Sequence, residues 1–301
     1  MNIPQPIPYQ GSKRFLAPLI LKFFPLYFDK LIEPFAGSAA ISFAAAANNL
    51  ATSYHLNDLN APLMHLWNLI INDPFSLIDS YNKIWHDQIG NEKEYYNHIR
   101  NRFNNNHHPS DLLFLLARCV KAAIRYNSNG EFNQSPDNRR RGKSPTNMKN
   151  EILGASKLLK GKVKITSFDY RNIINDINQN DLVYMDPPYQ GVVSKRDTRY
   201  SNGVEYNEFV EFLNELNNKN IMYIISYDGK RADTNYGKDL PVFLSLHKIL
   251  LDAGLSTQAT LLGRTERTYE SLYLSSRLTE QLNAKYNQID HFQEDQQLLF
   301  A

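Results

Sequence analysis

The chain has 301 residues, 42% of them hydrophobic, a formal net charge of +2 and a single cysteine. That length and apolar content suit a folded chain with a sizeable core, either one large domain or one domain with an insert. A disulfide framework is excluded, no apolar run approaches the ~18 residues of a membrane span, and no secretory signal opens the chain, so a soluble cytoplasmic protein is expected.

The first feature in chain order is Tyr9-Gln10-Gly11-Ser12-Lys13-Arg14, a turn-rich stretch with an aromatic ring, a glycine and two cations. Lys13 could serve an anionic ligand group, although a solvated arm is the simpler reading of such an N-terminus. Apolar periodicity from Phe15 to Phe24 predicts a helix. Leu31 to Glu33 reads as a strand, followed by the small-residue turn Pro34-Phe35-Ala36-Gly37-Ser38 and an Ala-rich helix to Ala47. Strand, small-residue turn and helix form the mononucleotide-binding arrangement, which many ordinary βα turns also share. About 23 residues after Glu33 a second strand, Ser53 to Leu56, runs into Asn57-Asp58, where a doubly wound fold places its acceptor for ribose hydroxyls. Asn60 and Pro62 then start a helix to Ile71.

From Asp73 to about Lys160 the pattern is helical, clearest from Asp111 to Arg125, with Cys119 as a core residue. A helical stretch of ~90 residues is too long for an ordinary crossover and reads as an inserted domain. Inside it lie Arg125-Tyr126-Asn127-Ser128-Asn129-Gly130-Glu131-Phe132-Asn133 and Arg139-Arg140-Arg141-Gly142-Lys143. Asn129-Gly130 between two aromatics is a hairpin signal. Between Arg118 and Lys149 eight Lys/Arg stand against two acids, which suits phosphate contact and base-edge readout, with a solvated loop as the alternative.

The sheet resumes with Lys162 to Thr166, ending in Phe168-Asp169, and with the apolar strand Leu182 to Met185. That strand closes in Asp186-Pro187-Pro188-Tyr189. These four residues fit either a plain strand end with a Pro-Pro turn or a site for a flat nitrogenous base, with Asp186 and the Pro187 carbonyl accepting from an exocyclic amine and Tyr189 stacking on the ring. The loop Gln190 to Glu205, carrying Lys195, Arg196 and Arg199, reads as a lid or a DNA-contacting segment. A helix around Phe209 to Leu216, a strand Ile221 to Ile225, a helix near Phe243 to Leu251, and a terminal strand pair, Thr257 to Leu262 and Ser271 to Ser275, are predicted next. From Leu278 the composition is that of a poorly ordered tail.

Five stretches, Tyr9 to Lys13, Pro34 to Ser38, Asn57-Asp58, Arg125 to Asn133 and Asp186 to Tyr189, resemble in content and order the Dam-like adenine-N6 DNA methyltransferases of the alpha group. The likeness extends to about Ser275. Two departures are Ala39, where the family often has a second glycine, and Gln134-Ser135-Pro136, which points to a different DNA sequence being read. The resemblance implies a doubly wound, mostly parallel α/β sheet, a Rossmann-like fold of about seven strands with a terminal antiparallel strand. Residues 1–72 and 161–277 would form the catalytic domain, 73–160 a helical target-recognition insert with its hairpin, and 278–301 a tail.

It further implies S-adenosylmethionine as donor and a flipped adenine in double-stranded DNA as acceptor, with no metal. Tyr9, Lys13, Phe35, Ala36, Gly37, Ser38, Asp58, Phe168, Asp169 and Asp186 would line the cofactor site, and Asp186, Pro187, Pro188 and Tyr189 the target base. Arg125, Asn127, Ser128, Asn129, Asn133, Arg139, Arg140, Arg141, Lys143, Lys195, Arg196 and Arg199 would engage DNA. A restriction endonuclease acting on the same site is a possible partner, and the bacterial nucleoid the implied location. The residues leave open cytosine-N4 or RNA adenine methylation, and a non-catalytic DNA-binding regulator on the same scaffold.

Overall fold

The structure, a computed structural model, describes residues 3–188, 204–231, 234–235, 239–255 and 267–284. Its centre is a sheet in which β1 (Lys30–Glu33), β2 (Ser53–Asn57), β3 (Val163–Thr166), β4 (Leu182–Met185) and β5 (Met222–Arg231) run parallel in the order β3-β2-β1-β4-β5. Antiparallel β8 (Arg267–Leu274) lies between β5 and the edge strand β7 (His247–Leu255), and the short β6 (Thr234–Asn235) pairs with the end of β5. This mostly parallel sheet flanked by helices is the Rossmann-like arrangement expected from the sequence.

Successive residues of the central strands point to opposite faces, and both faces are covered. Leu182 and Tyr184 enter one core with Leu31 and Leu56, while Val183 and Met185 enter another with Ile32 and Ile225. All four residues of β4 are buried, each contributing on the order of 1.5–3 kcal/mol if fully withdrawn from water. The Tyr184 hydroxyl shares a 2.9 Å hydrogen bond with Ser226 on β5, so its polar end is satisfied inside the sheet.

One layer contains α1 (Ala17–Ile20), α2 (Ala40–Ala47), α3 (Ala61–Asn72), α4 (Pro74–Asp87), α5 (Glu92–Asn106), α6 (Pro109–Arg118) and α7 (Pro145–Leu159). α2 is alanine-rich, which favours the helix and lets it approach the sheet closely. Asn60 caps α3 by accepting from Leu63 N at 3.1 Å. The second layer is α8 (Tyr206–Asn218), capped by Glu205, with the 3-10 turn Tyr170–Asp176. No helix among the described residues is long and apolar enough to cross a membrane.

Four local expectations change. The segment from Phe15 to Phe24 is broken into α1 flanked by 3-10 turns, with Pro18 in its first turn. α6 stops at Arg118 because Cys119 is extended and Lys121 and Ala122 are left-handed, so the helix does not reach Arg125. The stretch from Phe243 to Leu251 is a 3-10 turn followed by β7: pairing with β8 turns Leu251 into the core and leaves Leu250 exposed, a period of two that overrides the helical reading. Residues 276–284 form a helix that buries Leu278 and Leu282, so the packed chain continues past position 277; 285–301 lie outside the described residues. Thr257 to Leu262 also lies outside them, and β8 finds its partners in β5 and β7.

Candidate active site

β1 leads to β2 and β3 on one side, and β4 to β5 on the other, so the strand order reverses between β1 and β4. Ligands in open α/β sheets bind outside the carboxyl ends at such a point. A cavity of about 550 Å³ opens there, lined by Tyr9 to Lys13, the Pro34–Ser38 turn, Asp58, Phe168 and Asp169, and Asp186 to Pro188. Every residue expected at the cofactor therefore faces one space. Six acids line it (Glu33, Asp58, Asp169, Asp186, Glu205, Glu208) against two cations, Lys13 and Arg171, an excess that favours a cationic ligand.

The turn after β1 is held from below. Gly37 adopts φ +45°, and a Cβ there would come within 3.2 Å of the Tyr9 ring, so the absent side chain is what lets Tyr9 close over the turn. Asp58 accepts from Gly37 N and from Asn60 N, each at 3.0 Å, and Trp67 Nε1 donates to the Gly37 carbonyl at 2.9 Å. Burial raises the Asp58 carboxyl above its ordinary value, with the two backbone donors opposing. Ser38 Oγ meets Ser12 Oγ at 2.9 Å, tying the turn to the N-terminal arm. Phe35 packs on Tyr170 at 5.0 Å, Phe168 is half exposed at the mouth, and Asp169 is bound by Arg171 at 2.8 Å.

Lys13 is enclosed by Asp186 Oδ1 at 3.3 Å and by Glu270 of β8. Burial alone would lower its ammonium, but Asp186 and Glu270 outweigh that and hold it well above the ordinary lysine range. Three further contributors were not among the expected site residues. Asn57, fully buried, donates to the carbonyls of Pro34 (3.0 Å) and Phe168 (2.9 Å) and accepts from Thr166 Oγ1 (2.7 Å), clamping the β1, β2 and β3 ends together. Asn60 Nδ2 donates to the Tyr126 hydroxyl at 3.2 Å, joining the start of α3 to the hairpin. Glu33 is buried at the end of β1 and accepts from Ser42 N at 2.7 Å. An acid closing an apolar strand just before a small-residue turn is the signal that would have found it.

Burial lifts the Glu33 carboxyl from 4.5 to about 7; the Ser42 donors oppose the shift and Asp186 adds to it. A folded-state value above the unfolded one means that its stabilisation is complete below 4.5 and is lost as pH rises through about 7. Unfolding of the ligand-free protein should therefore become easier across that window by roughly 3 kcal/mol more than in Glu33→Gln, at ~1.4 kcal/mol per unit. Denaturant titrations of both proteins at several pH values between 4.5 and 8 check this, and parallel pH profiles would contradict it.

The fold brings the expected DNA residues between Arg125 and Lys143 together only in part. Tyr126 and Phe132 form an antiparallel bridge, and Asn127 N donates to the Glu131 carbonyl at 2.9 Å, so the predicted hairpin exists. Asn127 Oδ1 accepts from Asn129 N and Glu131 N, so its side chain builds the turn. Ser128, Asn129 and Asn133 are exposed, and Arg125 is half-buried with its Nε unpartnered. Arg139 and Arg140 pair with Asp137, Arg141 with Glu92, and Lys143 with Glu151 and the Gln5 carbonyl. Arg118, one of the eight cations in the basic stretch, is buried against Gln88 at 2.5 Å. Tyr189, Lys195, Arg196 and Arg199 lie outside the described residues.

A sequence family model described as D12 class N6 adenine-specific DNA methyltransferase matches residues 9–251, from the N-terminal arm through most of β7. The chain belongs to this family. The D12 match includes the Gly37 turn, Asp58, the hairpin and Asp186. Among curated proteins the chain is 25% identical over 256 residues to the type II methyltransferase M1.LlaDCHI of Lactococcus lactis subsp. cremoris, covering 80% of this chain and 85% of that one. It is 28% identical over 211 residues to the DNA N-6-adenine-methyltransferase of Escherichia phage P1, covering 66% of this chain but only 26% of the phage protein. It is 26% identical over 205 residues to the DNA adenine methylase of Haemophilus influenzae, covering 67% and 68% of the two chains.

Proposed function

We propose that this D12 family member transfers a methyl group from S-adenosylmethionine to N6 of an adenine flipped out of double-stranded DNA. The observation that carries the reading is that Asp186 and Pro187, at the end of β4, open onto the same cavity as the Gly37 turn and Asp58. The cavity fits such a donor: its acid excess suits a cationic sulfur and ammonium, Asp58 offers a carboxylate to vicinal hydroxyls, and Phe35 and Phe168 offer ring faces. When bound, S-adenosylmethionine supplies a methyl group on a cationic sulfur that leaves with the C–S bonding pair.

The residues of the chain then have an orienting task. The adenine amine is a poor nucleophile because its lone pair is delocalised into the ring. Asp186 and the Pro187 carbonyl accept its two N–H bonds, favouring a pyramidal nitrogen whose lone pair is free to attack. Negative charge around Asp186 stabilises the positive charge that develops on N6 until one proton leaves to solvent. The amine cannot reach this geometry inside a stacked duplex, which is why the base must be extruded. Residues 73–160 serve as the target-recognition insert on the catalytic body. The type II relative extends the proposal to a marking role on nucleoid DNA beside an endonuclease with the same site.

Transfer of labelled methyl groups to unmethylated bacterial DNA, followed by digestion to nucleosides, tests the reading. N6-methyladenine supports it; N4-methylcytosine, or no incorporation, overturns it.

Two kinds of insert variant should separate. Arg139 and Arg140 are exposed and form ion pairs with nearby Asp137, pairs that a phosphate can replace at little cost. Replacing both by alanine should weaken binding to all DNA and flatten the log–log salt dependence by up to ~2 units. Replacing Ser128, Asn129 or Asn133 should instead shift the modified sequence, each lost base contact removing ~1–3 kcal/mol of discrimination. Profiling modified sites at two salt concentrations distinguishes them, and an unchanged profile in every hairpin variant would exclude the hairpin from target choice.

A further inference from the structure

Within the assignment of Asp186 to the target amine, we propose that Glu270 on β8 is a positioning residue for methyl transfer, acting by sharing the Lys13 ammonium so that Asp186 remains a strong acceptor. Lys13, Asp186 and Glu270 reach the same point from the N-terminal arm, the end of β4 and the antiparallel strand β8. Their side chains are only 11%, 22% and 13% exposed, so water screens the cluster weakly.

With Lys13 as its sole neighbour, Asp186 would be half of a neutral ion pair. The ammonium would then compete directly with the adenine amine for the carboxylate lone pairs. Glu270 changes that balance. Two carboxylates around one ammonium leave the cluster with one net negative charge beside the amine that must become positive. Burial favours neutral Lys13, whereas the two acids keep it charged, so removing one acid alters the field at the other.

The ladder shows how β8 delivers Glu270. Ser226 pairs with Leu272 and Gly229 with Glu270, so β5 carries one extra residue over this span and the register shifts between Glu270 and Leu272. Irregularities of this kind re-aim side chains and are common beside active sites. An ion pair that only ties the arm to the sheet is the competing explanation.

Glu270→Gln keeps the shape and a hydrogen-bond acceptor but removes the charge. Single-turnover methylation at saturating donor and DNA should fall about 10–100-fold, below the loss for a group that touches the reacting atoms. Donor affinity by calorimetry, DNA affinity and melting temperature should stay near wild type. Glu270→Asp should recover part of the rate. Adding Lys13→Met to Glu270→Gln should raise the saturated rate above that of Glu270→Gln alone, because Asp186 no longer faces an undivided ammonium. The double variant removes the Lys13–Glu270 pair as a unit and so avoids an undivided ammonium at Asp186, which keeps it informative if Glu270→Gln fails to fold; its saturated rate should then lie well above that of Asp186→Ala.

Wild-type turnover in Glu270→Gln overturns the assignment. So does a rate loss that follows donor affinity or melting temperature, or a double variant as slow as Asp186→Ala. Normal turnover in Asp186→Ala would instead overturn the reading of the site itself, an outcome distinct from failure of the Glu270 assignment alone.

Discussion

Asp186→Ala is expected to lower methyl transfer by ~100–1000-fold, the usual cost of removing one preorganised electrostatic partner of the reacting atoms. Asp186 closes β4, whose residues are buried, so its backbone is fixed by the sheet independently of its own side chain. Lys13 keeps Glu270 as a partner in this variant, so no ammonium is left buried alone. The protein should therefore fold, retain most of its donor affinity, and lose the chemical step. Single-turnover rates, calorimetry with S-adenosylmethionine and a melting curve on the same preparation read these separately. Near-normal turnover would rule out the proposed role of Asp186.

Asp58→Ala should act on the other half of the cavity. Its carboxylate would accept from vicinal ribose hydroxyls, and hydrogen bonds to a charged group contribute ~1.5–3 kcal/mol. Donor binding should weaken by ~10–150-fold on the usual conversion of free energy to affinity. The same carboxylate holds Gly37 N and Asn60 N, so some stability is lost with it, and the Gly37 turn loses one restraint. The DNA sequence modified should not change, because the hairpin contacts this region through the Asn60 side chain and Tyr126, both of which remain. An unchanged dissociation constant would reduce Asp58 to a structural residue at the start of α3.

Much of this organisation can be read from the chain alone, because its signals are local. Strands β1 to β4 are short segments rich in apolar and β-branched residues and bounded by turn residues, and all four form where the sequence places them. The Gly37 turn, Asp58 and Asp186 follow those strands directly, so placing a strand places the residue that ends it. The Asn129-Gly130 turn is equally local, since its backbone conformation is a property of those residues. What the residues next to one another cannot encode is who meets whom. β7 looked helical because a short apolar run carries both periods, and only pairing with β8 selects one. Counting charges along the chain gives the basic stretch eight cations with no distinction among them, whereas folding buries Arg118 and ties Lys143 to Glu151. Above all, Glu270 has no sequence signal that joins it to Lys13 and Asp186, which the family resemblance already places in one site. Their shared field exists because the sheet orders β4, β5 and β8 side by side, and charge couples through space rather than along the chain.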